Sequence, residues 1–262
     1  MRVEVIHPHG FCAGVERALR MAHAALANVG ERAAQEIYCL HGIVHNETVV
    51  QSLAAKGMRF VESVDDVPEG AVMLISAHGT SPANRAAAEA RGVRVVDATC
   101  PFVAAAHVKI RENFAAGMRT VVVGAPEHAE VRGYLGEPGA CLPEDVKPDE
   151  RTGRVVQTTL DAGTYEGVCT ATRDRQQAVR DFVSAHRGCA SSVGVLVVGS
   201  AKSANTGRLA EIAERAGAKA WRVNSPDEIA SIDFAGIEML GVTSGASTPE
   251  EALLAVLSVL RK

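Results

Sequence analysis

Short runs of apolar, mostly β-branched residues alternate along the chain with longer stretches in which apolar positions recur every three to four residues. Runs of the first kind are typical of strands, and stretches of the second kind are typical of amphipathic helices. Four of the runs are almost continuously apolar, as strands covered on both faces require: VRVVDA, TVVVGA, VGVLVVGS and IEMLGVTS. The alternation predicts an α/β fold with mostly parallel sheets.

Prolines, glycines and capping residues mark where the predicted helices begin and end. The spacing of apolar residues predicts one helix from Ala13 to Val29, followed by Gly30. Further helices are predicted over 82–91, 101–117 and 206–215, and from Thr248-Pro249 onward. The segment 137–154, rich in proline and acidic residues, is interpreted as an excursion or an edge hairpin.

Small polar residues and histidines follow the carboxyl ends of five predicted strands. In α/β sheets this is the edge where ligands bind, and small residues there let backbone N–H groups approach an anion. Each residue taken singly is well explained as a helix cap. The five ends together favour an anion pocket. The segments concerned carry His78, His128 and Glu130, Thr158, Ser203 and Asn205, and Ser247.

Three cysteines lie in short polar turns at the edges of apolar runs: Cys12, Cys100 and Cys169. No two of them form a CxxC pair, so the spacings of zinc knuckles and ferredoxins are absent. A lone cysteine is commonly a small buried hydrophobe. Cys39, Cys141 and Cys189 lack comparable motif contexts, and we interpret them as structural or incidental. Three thiolates from distant turns can instead hold an iron–sulfur cube by three corners and leave one iron open.

Composition narrows the class of protein. The chain has 262 residues, a formal net charge of −4 and a charged fraction of 22%. There is no basic excess for nucleic acid and no Lys/Arg block for a membrane surface. The first ten residues, MRVEVIHPHG, indicate a strand and a turn rather than a signal peptide. Six sparsely spaced cysteines suit a reducing cytosol, so we expect a cytoplasmic protein.

Over essentially its whole length the chain resembles the 4-hydroxy-3-methylbut-2-enyl diphosphate reductase family, also called IspH or LytB. The resemblance rests on a set of motifs in the family's order: GFCAGVERAL, LHGIVHN, SAHGTS, DATCP, GAPEHAEV, QTTL, CTAT followed by RQQAV, GSAKSANTGRLAE and GVTSGAST. A set of this size is far more specific than a single glycine motif.

The resemblance implies a clover of three α/β lobes around a central 4Fe–4S cluster. The lobes would cover 13–98, 99–168 and 169–262, joined by the N-terminal strand 1–12. Each lobe would donate one thiolate, from Cys12, Cys100 and Cys169, and leave the fourth iron open. Helix N-termini at Cys12 and Cys100 would favour their thiolates.

The resemblance also implies the site residues. Glu130 would be the proton donor, with His128 beside it and Thr158 orienting the substrate hydroxyl. The diphosphate pocket would be formed by His45, His78, His128, Ser203, Asn205 and Ser247.

The implied reaction is the reductive removal of an allylic hydroxyl, giving isopentenyl and dimethylallyl diphosphate in the last step of the methylerythritol phosphate route. The implied partners are this small diphosphate substrate and an electron donor such as ferredoxin or flavodoxin, with neither nucleic acid nor a membrane.

Several positions depart from the family pattern. Thr158 and Cys169 are only eleven positions apart, where the family has a longer insertion. Ala125 and Ala129 replace a histidine and a proline of the phosphate turn, and Ala204 replaces a serine. His9 stands in place of an arginine.

These departures motivate a second hypothesis, a paralogue that acts on a different allylic or phosphorylated substrate. A third is a non-catalytic iron–sulfur or zinc protein that senses a phosphorylated ligand. Glu130 argues against a sensor, because ligand sensing needs no acid at that position.

Overall fold

The computed structural model describes residues 1–30, 36–186 and 192–261. The helices in these ranges are α1 (Ala13–Gly30), α2 (Glu47–Ala55), α3 (Pro82–Ala90), α4 (Pro101–Ala115), α5 (Ala129–Leu135), α6 (Thr170–His186), α7 (Ala204–Arg215) and α8 (Glu250–Leu260). The strands are β1 (Arg2–Val5), β2 (Ile37–Leu40), β3 (Met58–Val61), β4 (Val72–Ile75), β5 (Arg94–Asp97), β6 (Arg119–Val123), β7 (Ala140–Cys141), β8 (Thr152–Val156), β9 (Ser192–Val198), β10 (Lys219–Val223) and β11 (Ile237–Ser244).

The strands form three sheets, and every strand pair in the described ranges is parallel. Sheet A has the order β1-β11-β9-β10, sheet B the order β3-β2-β4-β5, and sheet C the order β7-β6-β8. Parallel neighbours need crossover connections, which the alternating helices supply. The predicted fold class, three small α/β lobes with parallel sheets, is confirmed.

The chain divides into two compact units. The first unit comprises Met1–Cys12, His45–Glu47 and Thr159–Lys262 and contains sheet A. Alternate residues of β9 enter two different cores: Val195 and Val197 pack with α6 and α7, whereas Leu196 and Val198 pack with α8. Both faces of β9 are therefore covered, which explains its unbroken apolar run.

The second unit comprises Ala13–Val44 and Thr48–Thr158 and contains sheets B and C. The core on sheet B is built around Leu40, Met73 and Ile75, and the core on sheet C around Val122 and Tyr134. The lobe boundaries at 13–98, 99–168 and 169–262 stay a prediction.

The expectation that four apolar runs are covered on both faces holds for β9 and β11 but is wrong for β5. β5 is the outer strand of sheet B, and its residues are half-buried or exposed. β6 lies centrally in sheet C but buries only Thr120 and Val122. The edge hairpin within 137–154 is also wrong, because β7 and β8 lie on opposite sides of β6 and parallel to it.

The predicted helix boundaries agree with the structure to within a few residues. Ser81 caps α3 by accepting a hydrogen bond from the Asn84 N–H. α7 begins two residues earlier than predicted because Ser203, not a later residue, is its cap. Cys39 and Cys141 are buried, and Cys189 lies outside the described residues. Across the described ranges, no helix combines the length and apolarity needed to cross a membrane.

Candidate functional site

Each of the three motif cysteines is the residue directly before a helix. Cys12 precedes α1, Cys100 precedes α4, and Cys169 precedes α6. All three are partly buried. The positive end of the helix dipole favours a thiolate at this position. The sequence predicted the placement of Cys12 and Cys100, and the structure adds Cys169.

The two cysteine turns of the first unit are joined through a buried arginine, Arg175. Its guanidinium donates from Nη2 to the Gly10 carbonyl (2.8 Å) and from Nη1 to the Ala171 carbonyl (3.0 Å). Burial lowers the pKa of Arg175, and negative charge on Cys12 and Cys169 acts in the opposite direction. Arg175 therefore fixes the backbone just before Cys12 and the first helical turn after Cys169.

The Cys100 turn is organised within the second unit. The Cys100 N–H donates to the Ala77 carbonyl (3.0 Å), and Arg17 Nη1 donates to the Thr99 carbonyl (3.0 Å). The Thr99 N–H donates to Asp97 Oδ1 (2.9 Å). Burial favours the protonated form of Asp97, but hydrogen bonds from Thr99 and Arg85 outweigh burial and lower its pKa. The turn therefore has a fixed backbone geometry.

Glu130 is a buried carboxylate whose hydrogen bonds, within the described ranges, come from neutral donors. It is 2% exposed on α5. Its Oε1 accepts from the Thr158 N–H (2.6 Å) and the Tyr134 hydroxyl (3.1 Å), and Thr158 Oγ1 lies 2.9 Å from Oε2. Burial raises the pKa of Glu130, and the hydrogen bonds from Thr158 and Tyr134 oppose burial without cancelling it. The site therefore favours a protonated carboxylic acid.

His128 is the capping residue of α5 and faces a second histidine. Its Nδ1 accepts a hydrogen bond from the Glu130 N–H (3.2 Å), so a neutral His128 carries its proton on Nε2. The His78 ring packs edge-on against the His128 ring with centroids 5.6 Å apart. His78 Nδ1 lies 3.3 Å from the Ser76 hydroxyl. His78 is thus linked through the His128 ring to the backbone of Glu130.

Asn205 presents a buried amide without partners. It is 4% exposed at the start of α7, and neither its Oδ1 nor its Nδ2 has a hydrogen-bond partner among the described residues. A buried amide without hydrogen bonds destabilises the folded protein. The Asn205 amide therefore indicates that a bound ligand supplies its hydrogen bonds. Ser203 caps the same helix, with Oγ accepting from the Thr206 N–H (3.3 Å).

His45 belongs to a short segment of the first unit, His45–Glu47. The Ser247 hydroxyl donates to the His45 carbonyl (3.2 Å), so Ser247 positions the histidine backbone in this structure. Two residues after His45, the Glu47 carboxylate forms an ion pair with Lys202 Nζ (3.6 Å). Hydrogen bonding from Ser200 lowers the pKa of Glu47.

The family model described as LytB protein matches residues 3–261. The chain belongs to the LytB family. Two similar curated members are the 4-hydroxy-3-methylbut-2-enyl diphosphate reductase of Ralstonia nicotianae and the 4-hydroxy-3-methylbut-2-enyl diphosphate reductase 2 of Burkholderia mallei. The first is 38% identical, covering 99% of this chain and 86% of that protein. The second is 40% identical, covering 97% of this chain and 84% of that protein.

Solved structures give the same relationship. The E-1-hydroxy-2-methyl-but-2-enyl-4-diphosphate reductase from Plasmodium falciparum superposes with a TM-score of 0.88 at 27% identity, covering 99% of this chain and 88% of that one. A second structure, of (E)-4-hydroxy-3-methyl-but-2-enyl diphosphate reductase, has a TM-score of 0.67 at 28% identity and covers 99% and 98%.

Relatives in the LytB family carry residues that this chain lacks. The match to the Ralstonia protein extends over 288 residues, although this chain has 262. The short connection before Cys169 is nevertheless firmly attached to the first unit. Gln176 Nε2 donates to the Leu160 carbonyl (2.8 Å), and the Ala162 N–H donates to Gln176 Oε1 (2.8 Å). Asp161 binds Arg180 (2.6 Å) and Arg215 (2.8 Å).

The structure brings some of the candidate residues of this LytB protein into direct contact. Glu130, Thr158, His128 and His78 form one connected group in the second unit. In the first unit Ser247 contacts the backbone of His45. Sequence reasoning missed Tyr134 and Arg175. The i, i+4 spacing of Glu130 and Tyr134 on one helix is a signal that could have identified the first of them.

Proposed function

We propose that the protein is an iron–sulfur reductase that converts 4-hydroxy-3-methylbut-2-enyl diphosphate to isopentenyl and dimethylallyl diphosphate, the last step of the methylerythritol phosphate route. The observation that carries the proposal is the buried Glu130–Thr158 pair, which suits the delivery of a proton to a leaving hydroxyl. Full-length similarity to proteins named as this reductase supports it. That similarity does not favour a paralogue with another substrate or a non-catalytic sensor.

An iron–sulfur cluster is the cofactor of this family, and the three thiols before α1, α4 and α6 fit it. We assign Cys12, Cys100 and Cys169 as its ligands in a 4Fe–4S cluster with one open iron. All three thiols are partly buried at helix N-termini, an environment that stabilises thiolates. When bound, the cluster supplies electrons and a Lewis-acidic iron for the substrate oxygen.

The side chains of the protein contribute a proton held at a defined position. Oε1 of Glu130 already accepts from the Thr158 N–H and the Tyr134 hydroxyl, so the acidic proton resides on Oε2. In the ionised carboxylate Oε2 accepts from the Thr158 hydroxyl (2.9 Å). In the protonated acid this bond reverses: Oε2–H donates to Thr158 Oγ1, and the Thr158 hydroxyl proton turns to the substrate oxygen. Transfer along this pair delivers a proton to the departing hydroxyl.

The overall reaction consumes two electrons and two protons. One proton leaves with the hydroxyl as water. The second joins carbon at either end of the allylic unit, which accounts for two isomeric products. Electrons come from a one-electron carrier such as ferredoxin or flavodoxin. We place the enzyme in the cytoplasm, where sparse cysteines stay reduced.

We assign diphosphate binding to side chains that donate hydrogen bonds without a fixed charge. These are His45, His78, His128, Ser203, Asn205 and Ser247. The orphan amide of Asn205 at the start of α7 supports the assignment, because a helix N-terminus is a favourable anion site. We assign His128 to both the acid site and the diphosphate site. Its Nδ1 accepts from the Glu130 N–H, and its Nε2 proton would donate to the diphosphate.

Anaerobic reconstitution with iron and sulfide, followed by an assay with the hydroxymethylbutenyl diphosphate and a strong reductant, tests the proposal. We expect about four irons per chain, charge-transfer absorbance and turnover. Serine at Cys12, Cys100 or Cys169 should remove the cluster, whereas Cys39→Ala and Cys141→Ala should retain it. Stoichiometric zinc without charge-transfer absorbance would contradict the cluster, and a cluster without turnover would contradict the substrate.

A further inference from the structure

Arg175 is a buried charge with no anionic partner in the described part of the chain. Its residue is 4% exposed, and its hydrogen bonds go to backbone carbonyls of Gly10, Ala171 and, at 3.5 Å, His9. Among the residues that the structure describes, the Nε atom has no hydrogen-bond partner and no carboxylate forms an ion pair with the guanidinium. A guanidinium in this environment is normally paired with a carboxylate or phosphate.

Burying an unpaired cation is unfavourable, and carbonyl dipoles offset only part of that cost. The anion that balances it must therefore come from groups near the guanidinium. The side chains that act on Arg175 electrostatically are Cys12, Cys169 and Asp174. Asp174 is exposed to solvent, which screens its charge. The two thiols are partly buried, so thiolate charge at these positions acts on Arg175 through a lower dielectric.

We propose that Arg175 is the buried counter-charge of the iron–sulfur cluster, and a positioning residue for two of its ligands, Cys12 and Cys169. The inference rests on the proposed function, because it requires a cluster held by these thiolates. Each electron that enters the cluster adds negative charge, and a fixed cation nearby stabilises the reduced form. Net charge and hydrogen bonding near a cluster are established determinants of its reduction potential. Arg175 therefore raises the reduction potential of the cluster.

The test compares Arg175→Met, which removes the charge, with Arg175→Lys, which keeps it on a different head group. Arg173→Met is the matched control, because Arg173 lies two residues away on α6 and is exposed. The readout is the midpoint potential of the reconstituted full chain, measured anaerobically by a spectroscopic redox titration. Iron content is measured on the same samples.

We expect Arg175→Met to favour the oxidised cluster by about tenfold, which lowers the potential by ~59 mV for a one-electron couple. Arg175→Lys should keep a potential closer to that of the unmodified protein, and Arg173→Met should leave it unchanged. An unchanged potential in Arg175→Met would overturn the inference. Equal lowering in the Met and Lys variants would also overturn it, because charge would then not be the cause.

If Arg175→Met retains too little cluster for a potential, the iron content of Arg175→Lys decides the matter. Lysine keeps the positive charge but not the guanidinium fork that bonds to Gly10 and Ala171. Iron retained in Arg175→Lys and lost in Arg175→Met supports the counter-charge, and equal loss in both variants contradicts it. If the unmodified chain binds no cluster at all, the proposed function fails first, and that result is separate from any difference among the Arg175 variants.

Discussion

Glu130 in the second unit and Asp161 in the first are both buried carboxylates, but their surroundings drive them in opposite directions. Glu130 is 2% exposed, and its hydrogen-bond partners in the described part of the chain are neutral groups, on Thr158 and Tyr134. Asp161 is 7% exposed and binds two guanidiniums, those of Arg180 and Arg215. Burial alone would raise the pKa of both.

The direction of each pKa shift depends on whether a positive charge offsets the effect of burial. At Glu130 burial prevails and its pKa is raised. At Asp161 the Gly163 N–H and the charges of Arg180 and Arg215 outweigh burial, and its pKa is lowered. Glu130 is therefore suited to hold and deliver a proton, whereas Asp161 is suited to remain ionised and anchor the connection that leads to Cys169.

The largest effect is expected from Glu130→Gln. Glutamine keeps an oxygen for the Thr158 N–H and an amide for Thr158 Oγ1, so cluster content and substrate binding should be retained. Turnover should fall by roughly 10²–10⁴-fold, the range for a lost general acid. Steady-state assays on the reconstituted protein, with iron content measured in parallel, check this.

Two other glutamates serve as controls for that experiment. Glu127 is exposed three residues before Glu130, and Glu127→Gln should retain full turnover. Glu137 is buried like Glu130 but binds Arg111 (2.6 Å) and His107 (2.8 Å). Glu137→Gln should lower stability rather than the turnover of folded protein. Equal turnover in Glu127→Gln and Glu130→Gln would contradict the role of Glu130 as the acid.

The second effect in size is expected from Asp161→Asn. Two arginines lose their ionic partner, while the small side chain and its hydrogen bond from Gly163 can remain. Solvent reaches both guanidiniums, so the free energy of unfolding should fall by roughly 1–3 kcal/mol and not more. Urea unfolding checks this. A loss of turnover in fully folded, fully loaded Asp161→Asn would contradict a purely anchoring role.

Local sequence was sufficient for much of this molecule. Cys12, Cys100 and the strand-end residues lie where short-range signals placed them, since a strand end followed by a capped helix is encoded by neighbouring residues. The helix that follows Cys169 was not predicted. β5 shows the limit of such signals. Its run VRVVDA resembles that of a central strand, but edge position depends on pairing with β4 alone, which is a long-range property.

The electrostatic environment of the site was less predictable for the same reason. The resemblance assigned Glu130 as the acid, but its burial and its bond to Thr158 join residues 28 positions apart. The contact of Arg175 with Gly10 spans 165 positions. Tyr134 is one helical turn from Glu130, yet only the packing of α5 against sheet C decides that its hydroxyl points to the carboxylate.

A third prediction concerns the pH dependence of stability, which should have opposite signs at the two carboxylates. Folded Glu130 holds its proton more tightly than the unfolded chain, so its contribution falls as pH rises above the ordinary carboxyl value of about 4.3. Folded Asp161 holds its proton less tightly, so its contribution is lost as pH falls through its lowered pKa.

Urea unfolding across a pH series measures this contrast. Relative to the unmodified protein, Glu130→Gln should gain stability with rising pH, and the deficit of Asp161→Asn should shrink toward acid. If the stability of both variants relative to the unmodified protein changes with pH in the same direction, the pKa values of Glu130 and Asp161 are not shifted in opposite directions.

The smallest effect, and the most specific, is expected from Tyr134→Phe. Tyr134 is fully buried, and its hydroxyl donates to Glu130 Oε1 (3.1 Å), a bond that favours the ionised form and lowers the pKa of Glu130. Because the protonated acid is the active form, turnover declines as pH rises through that pKa. Without the bond the pKa rises further, so the alkaline limb of the turnover profile should move to higher pH, with stability reduced by about 0.5–1.5 kcal/mol. Tyr38→Phe is the matched control, since Tyr38 is also buried and also donates to a carboxylate, that of Glu36. If the alkaline limb of the turnover profile moves equally in both variants, or in neither, the Tyr134 hydroxyl does not control the pKa of Glu130.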